Sequence, residues 1–514
     1  MKRIFSSPGV ALVAGMCLRL FFVLRFPANS GDTVLYEQMA SNWLLNHVYA
    51  MDVGGQITPV DLRMPGYPIF LAIVYAITGR SGDAAHLPLM IAQVFVDLAS
   101  CVLIAGLAAI LALMVSEQAP ARRVFVAGIW LAALCPFTAN YTAVTLTEVF
   151  AIFFTVAALC PFTANYTAVT LTEVFAIFFT AAALIPICLM IGRTRNNGWL
   201  FIKREWWRAN NYRYLAGAAA LLVGLCTLFR PESPLLLIAV WIVLAVTLFR
   251  QHEAKRWIFT VVGMGVICAI PLLPWTMRNA ITLHEFQPLA PKYSNLPGEL
   301  IPYGFMSWEK TWLFRFRDVY LSAWKLDDEA IQVDDLPAYA FDSPEEKDRV
   351  AAILEPYNND LTLTADEDEA FGRVARERTA RHPLRTYVWL PLARAGVMWF
   401  TPRIELIPVS GTVFPLVQSW QDDKVDQGVT VGFFLLNIAY IGLAIFGAIR
   451  LWRRSTAVRP ALAMMILFVA LRTAFLTTIE TPEPRYVLVC FPIVLALAAI
   501  SFLPKNDETT TSST

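Results

Sequence analysis

The sequence predicts an all-α polytopic membrane protein. Hydrophobic types make up 57% of the 514 residues and charged types only 16%, where an average soluble chain has about 25% charged. The apolar residues fall in runs of roughly 20, enough helix to cross a hydrocarbon core of ~30 Å. The connectors between runs carry clustered Lys and Arg. This pattern excludes a soluble enzyme, a disordered chain and a coiled coil. It also excludes an outer-membrane barrel, whose strands alternate over ~10 residues.

In lipid the backbone must satisfy its own polar groups, so each crossing is predicted to be a helix. About ten are expected, at 8–27, 88–115, 124–143, 172–192, 214–230, 234–249, 257–277, 428–449, 460–478 and 486–503. Met-Lys-Arg before the first run resembles a signal peptide. Arg19 and Arg25 interrupt the run and no small-residue cleavage site follows, so it reads as a retained anchor. The basic connectors are Lys2-Arg3, Arg122-Arg123, Arg193 to Arg213, Arg250 to Arg256 and Arg450 to Arg459. Ten crossings place all five on one side, which the positive-inside rule makes cytoplasmic. The expectation is a plasma (inner) membrane protein with both termini inside and a disordered tail over 504–514.

Two large segments remain on the outer side. Residues 28–87 form the first outer loop of an N-terminal membrane domain, 1–277. Residues 278–427 form a larger loop, acid-rich between Asp327 and Glu369, before the C-terminal helices of 428–503. The apolar stretch 66–79 is too short to cross and reads as an interfacial or re-entrant helix. The stretch 386–400, with Arg394 at its middle and a Trp-rich face, reads as a helix on the membrane surface. All eight cysteines lie inside apolar runs, which argues against a disulfide framework and a zinc site. No His, Asp or Glu cluster has ligand spacing, so no metal is expected and no cofactor is implied.

Residues 132–155 recur without change at 157–180, a period of 25. Two identical copies indicate a local duplication rather than a solenoid. The basic flanks demand an even number of crossings between 124 and 192. The extra residues are therefore expected as a lengthened outer hairpin or re-entrant segment. Glu148 and Glu173, each in TLTE, compete for one role.

Ionisable groups near hydrocarbon cost ~2.5–3.5 kcal/mol on insertion scales and call for an explanation. Asp32, in SGDTVLYEQMA, can cap the helix that carries Tyr36, or act as a general base at the outer face. Arg63, in LRMPGYP, is a snorkelling interfacial arginine or a phosphate clamp. Glu148 and Glu173 suit a first helical turn as well as a catalytic role. Arg230 and Glu232 read as a simple ion pair, Arg278 as an outer anchor, and Glu483 with Arg485 as a pair in a short outer turn. Arg472, about two turns deep in a span, is expected to face the protein interior. Together Asp32, Glu148 or Glu173, Arg63, Arg230, Arg278 and Arg485, with Tyr36 and Glu483 beside them, fit a site for a phosphate-bearing lipid. A transporter lined with charges would give the same set.

The order of these motifs resembles the membrane glycosyltransferases of the GT-C fold. Within them it resembles the protein mannosyltransferase type (glycosyltransferase family 39), alongside the lipid A aminoarabinose transferases. The resemblance covers most of the chain. It rests on Asp32-x3-Tyr36, Arg63-Met-Pro-Gly-Tyr67-Pro, Pro136 to Glu148 (again as Pro161 to Glu173), Leu228-Phe-Arg230-Pro-Glu232, Pro274-Trp275-x2-Arg278-Asn279 and Glu483-Pro-Arg485-Tyr486.

The resemblance implies an inverting transferase that takes a sugar from a polyprenyl-phosphate donor on the outer face. The acceptor would be a protein, lipid or glycan. Membrane lipid is a partner and nucleic acid is not. Asp32 matches the family's first-loop catalytic aspartate, and Glu148 or Glu173 its second-loop acid. Arg63 and Arg485 would stabilise the departing phosphate. The family often has an acid directly after that aspartate, where this chain has Thr33, and the duplication is not part of its pattern. The rival readings are a transporter or lipid flippase, and a catalytically inactive relative.

Overall fold

The computed structural model describes residues 7–115, 121–165, 212–250, 254–293, 295–296, 299–409, 411, 413, 420–421 and 423–504. The predicted span 172–192, Glu173 and the tail beyond 504 lie outside the described residues. The chain divides into two compact units. One comprises Met1–Pro291, Ile404–Val469 and Leu488–Thr514, and the other Lys292–Arg403 and Ala470–Val487.

The first unit opens with α1 (Pro8–Arg25), which has proline at its start and Arg25 in its last turn, favourable to backbone and dipole alike. Then come α2 (Gly31–Asn46), an antiparallel hairpin of β1 (Ala50–Val53) and β2 (Gln56–Pro59), and α3 (Gly66–Thr78). The 13 residues of α3 reach only ~20 Å at 1.5 Å each, short of a crossing, as its sequence led us to expect. α4 (Asp83–Leu113), α5 (Ala121–Ala133), α6 (Glu148–Asn165) and α7 (Tyr212–Thr227) form the interior, with α4 packed on both α5 and α6, and α6 on α7. α8 (Leu235–Arg250), α9 (Ala254–Ala269) and α10 (Leu273–Thr282) follow.

Among the described residues, five helices are long and apolar enough to cross a membrane: Pro8–Arg25, Asp83–Leu113, Trp257–Thr282, Lys424–Arg454 and Arg459–Leu476. Ala121–Ala133 with Pro136–Ala143, bent by 50°, makes a sixth if read as one span. The chain is a multi-pass membrane protein, all-α apart from one hairpin among the described residues. Ten full crossings are not seen there, because the predicted spans at 214–230, 234–249 and 486–503 correspond to shorter apolar helices of 10–17 residues.

Of the duplicated region, the first copy and residues 157–165 of the second are described, and the rest of the second copy lies outside the described residues. The residues after the first copy's Glu148 continue without a loop. They form α6, an 18-residue helix whose side chains from Val149 to Thr163 are almost all buried against α4 and α7. Its apolar surface is continuous around the helix, which suits an interior position.

A buried ion pair fastens the membrane helices. Arg19, fully buried in α1, donates from Nε to Asp97 of α4 at 2.6 Å, and from Nη1 to the carbonyls of Gly15 at 2.9 Å and Ala133 at 2.7 Å. The helices approach closely there, since a Cβ on Gly15 would stand 2.8 Å from that of Ala133.

The second unit has its own aromatic core around Phe305, Trp308, Trp312, Tyr357 and Phe371. Its helices include Tyr303–Lys310, Pro344–Asp360, Ala365–Arg381 and Leu390–Phe400. Many acids of the 327–369 stretch are tied down locally. Asp368 accepts from the backbone N–H groups of Gly304 and Phe305, and Glu367 closes a capping box with Thr364. The predicted surface stretch at 386–400 is helical. Arg394 is buried and donates to the carbonyls of Leu313, Lys310 and Thr477. Arg472 faces inward as expected and donates to the carbonyl of Tyr486.

Candidate active site

The segment after α1 and the segment before α6 are stitched together by short polar contacts. Ala28 donates its N–H to the carbonyl of Ala143 at 3.0 Å and bridges Val144. Two residues on, Ser30 donates its N–H to Thr33 Oγ1 at 3.0 Å, half of a capping box that starts α2. The same hydroxyl oxygen accepts from Thr145 Oγ1 at 2.9 Å. Thr33, the residue after Asp32, thus serves as a buried cap and anchor. Asp32 sits in the first turn of α2, where the helix dipole favours its charge.

Arg63 comes from the segment between the hairpin and α3. Its Nη2 donates to Asp32 Oδ1 at 2.6 Å, with the two side chains 24% and 26% exposed. The backbone under Arg63 is held from below. Buried Tyr49 donates its hydroxyl to the Arg63 carbonyl at 2.9 Å. Arg278 in turn donates to the carbonyls of Tyr49 at 2.5 Å and Val60 at 2.8 Å, and stacks on the rings of Tyr49 and Trp275. Arg278 therefore acts as a clamp on the hairpin ends. Asp61 lies nearby, and burial together with Glu285 holds its carboxyl above the usual carboxylate range.

The second pair joins Glu148, in the first turn of α6, to Arg230, just past α7. Glu148 is 1% exposed and Arg230 16%. The start of α3 closes on the same end of α7 through a glycine. Gly66 donates its N–H to the carbonyl of Leu228 at 2.7 Å, and a Cβ on Gly66 would stand 2.6 Å from that oxygen.

Tyr36 lies among the four charged groups. Burial pushes its phenol up to about 12, with Asp32 and Glu148 raising it and Arg63 and Arg230 lowering it. Its ring meets Tyr67 edge-on at 5.1 Å. Asp32, Tyr36, Arg63, Glu148 and Arg230, predicted from four separate stretches, are thus gathered in one neighbourhood of the first unit. Arg278 stands one layer behind them.

Glu483 and Arg485 belong to the second unit. They pair with each other at 2.5 Å, and Tyr486 donates its hydroxyl to Glu483 at 2.5 Å. Arg403 holds this turn by donating to the carbonyl of Pro484 at 2.6 Å. Glu173 lies outside the described residues.

Sequence reading missed Gln93, Asp97, Tyr49 and Asp61. The signal for the first two was present: a lone polar residue inside an apolar run needs a partner. No group of three or more His, Cys, Asp or Glu side chains among the described residues stands close enough to hold a metal.

No protein family and no curated protein matches the chain. Among solved structures it is similar to the archaeal oligosaccharyltransferase AglB from Archaeoglobus fulgidus in complex with an inhibitory peptide and a dolichol-phosphate. That likeness has 13% identity and a TM-score of 0.45, over 95% of this chain and 49% of the other. The apo form of the Archaeoglobus fulgidus oligosaccharyltransferase gives 12% identity and a TM-score of 0.43, with the same coverage. ArnT from Cupriavidus metallidurans in the apo state gives 12% identity and a TM-score of 0.36, over 96% of this chain and 76% of the other. The chain spans about half the length of the oligosaccharyltransferase chains it matches.

Proposed function

We propose that the protein is a membrane glycosyltransferase of GT-C type, moving a sugar from a polyprenyl-phosphate donor to an acceptor hydroxyl on the outer face of a plasma (inner) membrane. The observation that carries this reading is the partly exposed Asp32–Arg63 pair set beside the Glu148–Arg230 pair. Two carboxylates and two guanidinium groups in one neighbourhood suit a reaction that removes a proton and releases a phosphate.

In this reading Asp32 accepts the proton of the acceptor hydroxyl as its oxygen attacks the anomeric carbon. The bond from that carbon to the phosphate oxygen breaks on the opposite side, so the configuration inverts. The electron pair leaves with the lipid phosphate. Arg63 and Arg230 stabilise the charge that develops there, since a guanidinium meets phosphate through a bidentate fork. Donor binding draws Arg63 toward phosphate and frees Asp32 to act as base. Glu148 is too buried to meet an acceptor. Its role is to hold Arg230. The reaction as drawn uses no metal.

The test is transfer of radiolabelled sugar from a panel of polyprenyl-phosphate sugars by the purified, reconstituted protein, with Asp32→Asn alongside. Transfer that depends on Asp32 supports the reading. Vesicle uptake or lipid translocation without sugar transfer overturns it in favour of a transporter or flippase. Full transfer by Asp32→Asn overturns the base assignment.

A further inference from the structure

Gln93 lies in the body of α4 and is fully buried. A primary amide inside a membrane-spanning helix is costly unless every polar atom is bonded. None of its bonds serves its own helix. Its Oε1 accepts from the Tyr67 hydroxyl at 2.7 Å. Its Nε2 donates to the carbonyls of Val144 at 2.7 Å and Thr142 at 3.2 Å. The Thr142 carbonyl lies in the short turn Asn140–Ala143, and the Val144 carbonyl lies just past it, where the backbone turns extended and the Leu146 N–H also donates to it at 3.0 Å. The end of a helical turn leaves carbonyls without a partner in the turn itself.

Each contact leads to a charged group of the site. Val144 bridges Ala28, and Thr145 bonds Thr33, the neighbour of Asp32. Glu148 follows four residues after Val144. Tyr67 follows four residues after Arg63, and its ring touches Tyr36. One amide thus joins the segment that sets Asp32 and Glu148 to the helix that sets Arg63.

We propose that Gln93 is a positioning residue: it fixes the register of residues 142–148 against α3, and so the spacing of the Asp32–Arg63 and Glu148–Arg230 pairs. The inference rests on the glycosyltransferase reading for its catalytic consequence, though not for its structural one. A side chain of equal length without polar atoms would fill the space and lose all three bonds. The site would stay present but loosened, which penalises the chemical step more than donor binding.

The experiment compares Gln93→Met, the milder Tyr67→Phe, Asp32→Asn and the Gln93→Met/Asp32→Asn double variant, each as the full chain. Gln93→Met should lower kcat by about tenfold or more, the scale of one or two lost buried hydrogen bonds. Its donor KM should stay within about twofold of the parent. Tyr67→Phe should move kcat the same way by less. On the Asp32→Asn background Gln93→Met should add a smaller loss than in the parent, from the arginines alone. Hydrogen exchange should quicken together at 142–148 and 31–36, and stay unchanged in the helix Lys424–Arg454. Unchanged exchange at 142–148 and 31–36 overturns the proposal whatever the activity. So does an equal further loss on the Asp32→Asn background. Absence of transfer by the parent with every donor sinks the glycosyltransferase reading instead, and the exchange measurement then decides the positioning role alone.

Discussion

Asp32 and Arg63 stand 31 residues apart in the chain and meet at 2.6 Å, each about a quarter exposed. A pair this accessible contributes roughly 0–1 kcal/mol to stability, so stability is a poor reason for its geometry. Asp32→Asn keeps the shape and the helix cap while removing the base. We predict a fall in sugar transfer of about 10²–10⁴-fold, the usual contribution of general base catalysis. The thermal midpoint in detergent should move by no more than a few degrees. A large drop in that midpoint would instead mark Asp32 as a structural residue.

The Glu148–Arg230 pair behaves differently because Glu148 is buried. Removing one partner of a buried pair strands the other, at a cost of about 3–5 kcal/mol in well-buried cases, less here because Arg230 retains some solvent. Glu148→Gln should therefore lower both the thermal midpoint and the transfer rate. Glu173→Gln should lower neither to the same extent, because Glu148 pairs with Arg230. Parallel melting curves and transfer assays on the two variants decide it. A greater loss from Glu173→Gln would assign the second acid to the other copy.

Several elements were legible in the sequence, and their limits have physical reasons. The spans at 8–27, 257–277, 428–449 and 460–478 coincide with long apolar helices, since composition alone decides whether a helix can enter lipid. The duplication was visible, but its structure was not. The nonapeptide AALCPFTAN ends one helix and breaks at Cys135–Pro136 in its first occurrence, yet runs unbroken within α6 over 157–165. Identical residues take two forms because tertiary packing, not local propensity, sets each. The roles of Asp32, Thr33 and Arg63 were open for a related reason. Capping, anchoring and clamping depend on partners such as Thr145 and Tyr49, which no local pattern names. Arg278 read as an outer anchor or a phosphate contact, and only the fold shows its donors committed to the carbonyls of Tyr49 and Val60.

Gly66 offers a test of how tightly α3 must meet the end of α7. A Cβ there would stand 2.6 Å from the Leu228 carbonyl oxygen and 2.8 Å from its carbon. Those are backbone atoms and cannot step aside cheaply. Gly66→Ala should destabilise the fold by about 1–3 kcal/mol, in the manner of an overpacked core. It should also weaken transfer, because Arg63 and Arg230 flank this contact in sequence. An unchanged melting curve would mean that the two elements part without cost.

The second unit carries a pH-sensitive group. Glu309, buried in the helix Tyr303–Lys310, accepts from the Ser322 hydroxyl at 2.7 Å. Burial is the main cause that pushes its carboxyl from 4.5 up to about 8, with Glu480 also raising it and Ser322 and Arg394 opposing. The folded form therefore holds a proton that the unfolded chain releases near 4.5. The sign follows: this contribution to stability is fully present below about 4.5 and is lost as pH rises through about 8. Glu309→Gln retains the acceptor for Ser322 and removes the titration. We predict that the parent loses thermal stability between pH 5 and pH 8 more steeply than Glu309→Gln. Melting curves of the full-length protein at both values read the difference directly. Parallel slopes would show that Glu309 is ionised in the folded state and that Arg394 and Ser322 outweigh its burial.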